Sequence, residues 1–314
     1  MSQEAGPSSI LVAICAYKRA EGLHRVLDAL SQEHADVSWR LVIADNDPLG
    51  SARAIYESRR EDFPVPISYI FVDKGHLVAA RNAVLDLAAA DECVLFIDDD
   101  CEPAPGWLAS FARAAVQFPD AVLAGPMVAS FEQGVQPPQW ASNLWFFATE
   151  QYDDGALMEM TGDGNTLFPP ALIHQHGLRF EPQLDGGRGQ DTDLFIRWKA
   201  LGGQIRRVLG GLATEWTPAS RTSMAHLRSR SIAAGYGYTR MCLIRRSGRA
   251  HRAGTAAIDL LAGSYRYGSS LVTRDANQRG RAVYDLCIGV GSVQAFVEAA
   301  QSAVQRTLHR NSDR

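Results

Sequence analysis

The sequence predicts an α/β fold, with a mostly parallel central sheet flanked by helices and a helical C-terminal extension. Three observations carry that expectation. Over the first 130 residues, short apolar runs alternate with amphipathic stretches of helical period, the pattern of consecutive βαβ units. Two of those runs end abruptly in carboxylates, at Asp45 and at Asp98, as strand ends in open α/β sheets do where ligands bind. With 314 residues and 46% apolar content, the chain is also long enough to bury such a core without staples.

Taken in order, Ile10–Ala16 reads as a buried strand, and Leu23, Val26, Leu27 and Leu30 give the helical stripe that follows. Leu41–Ala44 is the next strand, closed by Asp45-Asn46-Asp47, and a helix from Ser51 to Arg60 follows with Ser51 as its cap. Ile67–Val72, an alanine-rich helix from Leu77 to Ala90, and the strand Cys93–Ile97 come next, the last ending at Asp98-Asp99-Asp100. A helix from Gly106 and a strand at Ala121–Ala124 complete this part. Residues 126–190 break the rhythm with prolines and glycines, as segments that set specificity on a rigid scaffold do. Asp191–Leu201 then reads as a helix, Ile205–Val208 as a strand, and the chain from Met224 onward as helical.

Composition narrows the class. The five cysteines are scattered and form no CxxC pair, which argues against a disulfide framework or a zinc knuckle and for a reducing compartment. Met1–Ser9 lacks the pattern of a signal peptide, and no 18-residue apolar run is expected to span a membrane. The nearest approaches, around Ala256–Ala262 and Leu286–Val297, are broken by Asp259 or bounded by Asp285 and Glu298. Charge is unevenly shared: residues 1–200 carry 14 Lys+Arg against 29 Asp+Glu, a balance of −15, and residues 201–314 carry 17 against 6, a balance of +11. That basic third suits an anionic lipid surface or a lipid-diphosphate, or is a solvated arginine-rich face.

Six groups of residues carry candidate chemistry. Three successive carboxylates after an apolar strand repel one another unless a cation sits among them, and Asp98–Asp100 suit Mg²⁺ or Mn²⁺ bridging a diphosphate. Asp45-Asn46-Asp47 ends a strand on the same sheet edge, where an aspartate can accept hydrogen bonds from a base or ribose. A calcium loop would need glutamate at position 56, which is Tyr56. Arg81 stands early in its helix, placed to clamp phosphate. Asp191, in Gly189-Gln190-Asp191-Thr192-Asp193, is either a general base at a loop–helix junction or a helix cap, and spacing alone does not decide between them. His226, and a lip of Trp140 and Trp145, are further candidates, although such residues are more often structural. The sequence has no GxxxxGK[ST] loop, no complete GxGxxG, no HExxH and no G-x-S-x-G elbow.

In their order along residues 10 to about 240, Cys15-Ala16-Tyr17-Lys18-Arg19, Asp45-Asn46, Gly75 with Ala80-Arg81-Asn82, the acidic triplet and Gly189–Leu194 resemble the family 2 glycosyltransferases of GT-A fold. Within them the likeness is to the succinoglycan-type polysaccharide enzymes. The resemblance implies that Ala16, Tyr17 and Arg19 line the nucleotide pocket and that Asp45 holds the base. It implies further that Arg81 contacts the nucleotide or its diphosphate, that Asp98 and Asp99 bind the nucleotide sugar, and that Asp100 ligates Mn²⁺ or Mg²⁺. Asp191 becomes the catalytic base of a single inverting displacement, with Trp140, Asn165 and Gln190 on the acceptor side. The sequence departs from the family at Gln190, where glutamate is usual, and at Trp216, where relatives often have histidine, which leaves His226 as the nearby candidate for a further metal ligand.

The resemblance thus leads us to expect an inverting hexosyltransferase-like enzyme. It would move a sugar from a nucleotide diphosphate donor, UDP-sugar first among them, to a hydroxyl of a glycan or lipid-linked acceptor in bacterial cell-surface polysaccharide or glycoconjugate synthesis. The GT-A domain is expected over residues 1–222, with its nucleotide-binding part at 9–125 and its acceptor part at 126–222, and the helical region over 223–314. A cytoplasmic location, peripheral at the inner face of the membrane, and no nucleic-acid partner complete the expectation. A non-catalytic nucleotide-sugar or glycan-binding protein and a sugar-1-phosphate nucleotidyltransferase are the alternatives. The second would need a glycine-rich basic loop that Ala16-Tyr17-Lys18-Arg19 is not.

Overall fold

The computed structural model describes residues 7–312 apart from 74, 132–134, 136, 137, 139, 141–151 and 187. Trp145 therefore lies outside the described residues. The elements, in order, are β1 (Ser9–Ala16), α1 (Ala20–Leu30), β2 (Ser38–Asp45), α2 (Arg53–Arg59), β3 (Ile67–Phe71), α3 (Leu77–Leu87), β4 (Glu92–Asp98), β5 (Cys101–Pro103) and α4 (Trp107–Gln117). After them come β6 (Val122–Ala124), β7 (Met127–Phe131), β8 (Asn165–Phe168), α5 (Gln190–Ala200), β9 (Ile205–Arg207), β10 (Ala213–Thr217), α6 (Met224–Ile244), α7 (Arg249–Thr273) and α8 (Ala276–Ser312).

The chain divides into two compact units. The first comprises Met1–Ser130, Thr149–Asp185 and Asp191–Trp216, and the second Phe131–Ala148, Gly186–Gln190 and Thr217–Arg314. In the first unit, seven strands form a sheet in the order β3-β2-β1-β4-β8-β6-β9, and β5-β10-β7 form a small second sheet. Only β8 runs against the others, since it is antiparallel to both β4 and β6. β1 is apolar along nearly its whole length because helices cover both faces, as a parallel sheet requires. Its even-numbered residues Ile10, Val12 and Ile14 pack with Leu23 and Leu27 of α1 and with Trp107 and Phe111 of α4. Its odd-numbered Leu11, Ala13 and Cys15 pack with Val84 and Leu85 of α3 and with Leu194, Phe195 and Trp198 of α5.

The pairing register fixes where chemistry can occur. Ala16 lies opposite Asp45, Cys15 opposite Asp98, and Ile97 opposite Asn165. The carboxyl ends of β1, β2 and β4 and the start of β8 therefore share one sheet edge.

The second unit is helical. Its helices pack backbone against backbone: a Cβ on Gly235 of α6 would meet the Ile288 carbonyl at 2.1 Å, and one on Gly291 of α8 the Ile232 carbonyl at 2.0 Å. The expectation of no membrane-length helix needs correction, because α8 runs through Asp285 and Glu298 without a break. By length and composition, Ala276–Gln305 is long and apolar enough to cross a membrane, with 39% of its most apolar window buried within the protein. Its apolar residues face α6 and α7 in part, which a core helix also does.

Candidate active site

The acidic triplet splits its work. β4 delivers Asp98 at its last residue, and Asp99 and Asp100 follow in a tight turn before β5. Asp99 turns back toward β1: it accepts a hydrogen bond from the Tyr17 backbone N–H at 2.9 Å and one from Arg19 Nη1 at 2.5 Å. Arg19 Nη1 also lies 3.0 Å from Asp100 Oδ2, so one guanidinium bridges two carboxylates. Burial pushes the Asp99 carboxyl up to about 6 despite Arg19 and the Tyr17 N–H, which favour the ionised form. Between these contacts, Lys18 takes a left-handed backbone with φ 56°, unusual for a residue with a side chain. Tyr17 remains 41% exposed, an aromatic face open to a planar ligand, whereas Ala16 is buried and holds Asn46 N–H through its carbonyl at 3.1 Å.

Asp98 and Asp100, with Cys101, bring one ligand atom each within 4.8 Å of one another. Burial pushes the Asp98 carboxyl above the usual carboxylate range, Arg81 opposing the shift and Asp100 adding to it. Two carboxylates at this spacing, Asp100 buried and Asp98 partly buried, suit a hard divalent cation. The Cys101 thiol does not: burial and the carboxylates of Asp98 and Asp100 keep it protonated, and its Sγ lies 3.8 Å from Met127 Sδ. Nor does Trp216 replace the missing histidine. Its backbone N–H reaches the Asp100 carbonyl at 3.0 Å, but its indole donates to Glu102 Oε2 at 2.8 Å and lies beneath Arg25. His226 belongs to the second unit, in the first turn of α6, where burial and then Arg230, Arg221 and Arg188 lower its pKa. Three guanidinium neighbours make that a poor seat for a cation.

Gly162-Asp163-Gly164 links the carboxylates. A Cβ on Gly164 would stand 2.2 Å from Asp98 Oδ2, so glycine is the residue that lets this carboxylate lie against the backbone. The position of a Cβ on Gly162 is 3.8 Å from Asp191 Oδ2. Between them, Asp163 pairs with Arg81 in a two-pronged contact, Nη2 to Oδ1 at 2.8 Å and Nε to Oδ2 at 2.6 Å. Burial, with Asp191 and Asp98 adding to it and Arg81 opposing, pushes the Asp163 carboxyl up to about 7. Arg81 is only 6% exposed, and its Nη1 makes no hydrogen bond among the described residues. The sequence expectation missed Asp163 because its partner is 82 residues away, and only the flanking glycines mark it.

Asp191 lies in the first turn of α5, and Asp193 turns inward. Asp191 Oδ1 accepts the Thr192 N–H at 2.7 Å, and its Oδ2 makes no hydrogen bond among the described residues. Asp193 is 2% exposed and bonded to Arg197 one turn on, at 2.9 Å from Nε. The two aspartates therefore have different surroundings, one open and one committed.

Two expected site residues are placed otherwise. The Asp45 carboxylate is fully buried and accepts Asp47 N–H at 2.9 Å, Ala52 N–H at 2.8 Å and Tyr69 O–H at 3.0 Å. It braces the loop into α2, and neither oxygen is open to a base. That bond to Ala52 N–H also supplies the helix start expected of Ser51. Beside it, Asn46 is 3% exposed with Oδ1 lacking a hydrogen bond, an acceptor the sequence reading did not single out. Asn165, expected on the acceptor side, is 2% exposed and internally satisfied. Its Oδ1 takes the Trp107 indole N–H at 2.8 Å, and its Nδ2 donates to Gly211 O at 2.8 Å and Pro126 O at 3.1 Å. In the second unit, Trp140 packs with Leu227 and Val283, the more common fate of a loop tryptophan. Gln190 keeps a buried Oε1 without a hydrogen bond among the described residues.

Comparison with known proteins identifies the family and the fold. Residues 11–173, just over half of the chain, match the family described as Glycosyl transferase family 2. The chain is 29% identical over 232 residues to the Succinoglycan biosynthesis protein ExoM of Rhizobium meliloti (strain 1021), covering 73% of this chain and 74% of that protein. Among solved structures, it is similar to the mannosyltransferase PcManGT from Pyrobaculum calidifontis in complex with GDP-Man and Mn²⁺. That match has a TM-score of 0.59 and 15% identity, and covers 94% of this chain and 88% of the other. GalNAc-T7 with UDP, GalNAc and Mn²⁺ matches with a TM-score of 0.54 at 12% identity, over 77% of this chain and 51% of that one.

Proposed function

The chain belongs to glycosyl transferase family 2 and has the GT-A fold, and from that premise we propose that it is an inverting enzyme using a UDP-sugar donor. The acceptor is a hydroxyl of a glycan or lipid-linked saccharide, in bacterial cell-surface polysaccharide or glycoconjugate synthesis. The observation that carries this reading is the Gly162–Gly164 segment, which seats Asp98 at one end and Asp191 at the other along one sheet edge. The succinoglycan biosynthesis name of the Rhizobium relative supports the pathway class.

In this reading, Tyr17 presents its ring to the base, and Asn46, braced by Asp45, offers an acceptor to a base N–H. Arg19 and Asp99 hold the loop that carries Tyr17. Arg81, fixed by Asp163, points its remaining N–H at donor oxygens. Asp98 and Asp100 would hold Mn²⁺ or Mg²⁺, which when bound supplies positive charge for a departing diphosphate. Asp191 Oδ2 takes the proton of the acceptor hydroxyl as that oxygen attacks the anomeric carbon. Gln190, next to Asp191 in the chain, is the acceptor-side residue of this reading. The catalytic domain covers residues 1–222 and a helical region residues 223–314. The +11 balance of residues 201–314 supports peripheral contact with the inner face of a membrane that bears the acceptor.

Release of nucleoside diphosphate, screened across UDP- and GDP-sugars with and without Mn²⁺, tests the core of the proposal. Metal-dependent turnover with a UDP-sugar is expected. Turnover restricted to GDP-sugars would correct the donor, and none with any donor would overturn the reading. The anomeric configuration of the product, read by NMR, decides inversion.

A further inference from the structure

An amphipathic helix of a soluble protein turns its charges outward, and α7 does the reverse. Its exposed residues from 254 to 272 recur at intervals of three and four, tracing one continuous face. That face contains no charged residue. It contains Ile258 (63% exposed), Leu261 (74%), Tyr265 (79%), Leu271 (56%) and Val272 (85%). The charged side chains of the same stretch take the other side: Asp259 and Arg266 are partly buried there, and Arg266 pairs with Asp285 of α8. One turn before the face begins, Arg252 is 6% exposed and bonded to Thr239 of α6 and Ser292 of α8. Large apolar residues contiguous on a surface mark a docking site rather than scattered exposure.

The ends of the face indicate what covers it. Arg245, Arg246 and Arg249 are exposed at its start and Arg274 at its end. The acid beside Arg274, Asp275, is engaged as the cap of α8, accepting the Asn277 and Gln278 N–H groups. All 17 basic residues of 201–314 are arginine, whose long stems let the guanidinium reach phosphate while the apolar part stays buried. We propose that the outward face of α7 lies on an anionic lipid bilayer, with Ile258, Leu261, Tyr265, Leu271 and Val272 at the headgroup–acyl boundary and the arginines at both ends on lipid phosphates. The proposal rests on the peripheral-contact reading above and sharpens it, from diffuse charge to one helix face.

Sedimentation of the full chain with phosphatidylcholine vesicles, with and without phosphatidylglycerol, tests it. Binding is expected only with the anionic lipid and is expected to fall as salt rises. Leu261→Glu with Tyr265→Glu should lower the partition coefficient by about tenfold or more, as removing two inserted side chains and adding two like charges requires. Val272→Glu, at the far end of the face, should lower it in the same direction. These positions are exposed, so circular dichroism and donor turnover should match the wild type. If the wild type binds and neither variant loses affinity, the α7 assignment is overturned while charge-driven contact survives. If the wild type binds no vesicle at low salt, both readings fall. A dimer that these substitutions dissociate, in a chain that ignores lipid, would assign the face to a second copy and overturn the proposal.

Discussion

The two compact units distribute charge in opposite senses. In the first, apolar residues fill both sides of the sheet and the charged groups that matter, Arg19, Arg81, Asp98–Asp100, Asp163 and Asp191, collect at one edge. In the second, the polar groups Arg252, Ser292 and Asp285 lie between helices, while α7 turns its apolar residues outward. A buried charge is tolerated only when paired, and pairing fixes it in place, which is what chemistry at a sheet edge needs. An exposed apolar face is tolerated only when something covers it. On the readings proposed above, one unit acts on a small ligand and the other meets a surface.

If that division is right, substitutions in the first unit should alter turnover and leave vesicle binding untouched. The largest effect belongs to Asp191→Asn, which should lower turnover by about 10²–10⁴-fold, the usual loss on removing a general base, with donor affinity retained. Asp193→Asn should cost much less turnover and some stability, because it breaks the bond to Arg197. The opposite ranking in steady-state assays would make Asp191 a cap and break the comparison at its centre. Next, Asp100→Ala should weaken Mn²⁺-dependent UDP binding by at least 10–100-fold or so, the range reached even by changes behind metal ligands. Calorimetry that found affinity unchanged and still metal-sensitive would remove Asp100 from the site.

A smaller effect should follow at Asn165. Asn165→Leu removes the partner of the Trp107 indole N–H and two donors to buried carbonyls, and each orphaned group costs about 1–3 kcal/mol. Urea unfolding should show that loss; unchanged stability would argue for an acceptor-side role after all. The smallest expected signal is a pH slope. The Asp163 carboxyl is raised by burial, so the folded state binds more protons than the unfolded one between its ordinary range and about 7. Stability should therefore be greatest at the acid end of that window and fall as pH rises through about 7. Asp163→Asn should flatten the slope in thermal melts, and an unchanged slope would place its origin elsewhere.

Much of the first unit was legible because its signals are local. Strand β4 carries five apolar residues, Cys93–Ile97, closed by the carboxylate of Asp98, and α1 and α4 show their buried stripes at helical spacing. The triplet, Arg81 and Asp191 were found by position at strand and helix ends. The rest depends on distant partners. Nothing near Asp45 says that Tyr69 and Ala52 will take its oxygens, and nothing near Asn165 points to Trp107, 58 residues away. Asp163 was passed over for the same reason. The outward face of α7 is not legible in the sequence, because its apolar residues have the period of a buried stripe and only the packing of α6 and α8 shows which side is covered.

The bonds of Asp99 have a consequence for how donor preference can change. Asp99 ties the aromatic wall at Tyr17 to the turn that positions Asp100, and Arg19 joins the same two carboxylates. On the proposed reading, recognition of the base and grip on the diphosphate end are geared together through a single side chain. A substitution in 17–19 selected for a new nucleobase would shift cation affinity as well, so a lineage switching donors must alter the triplet in step.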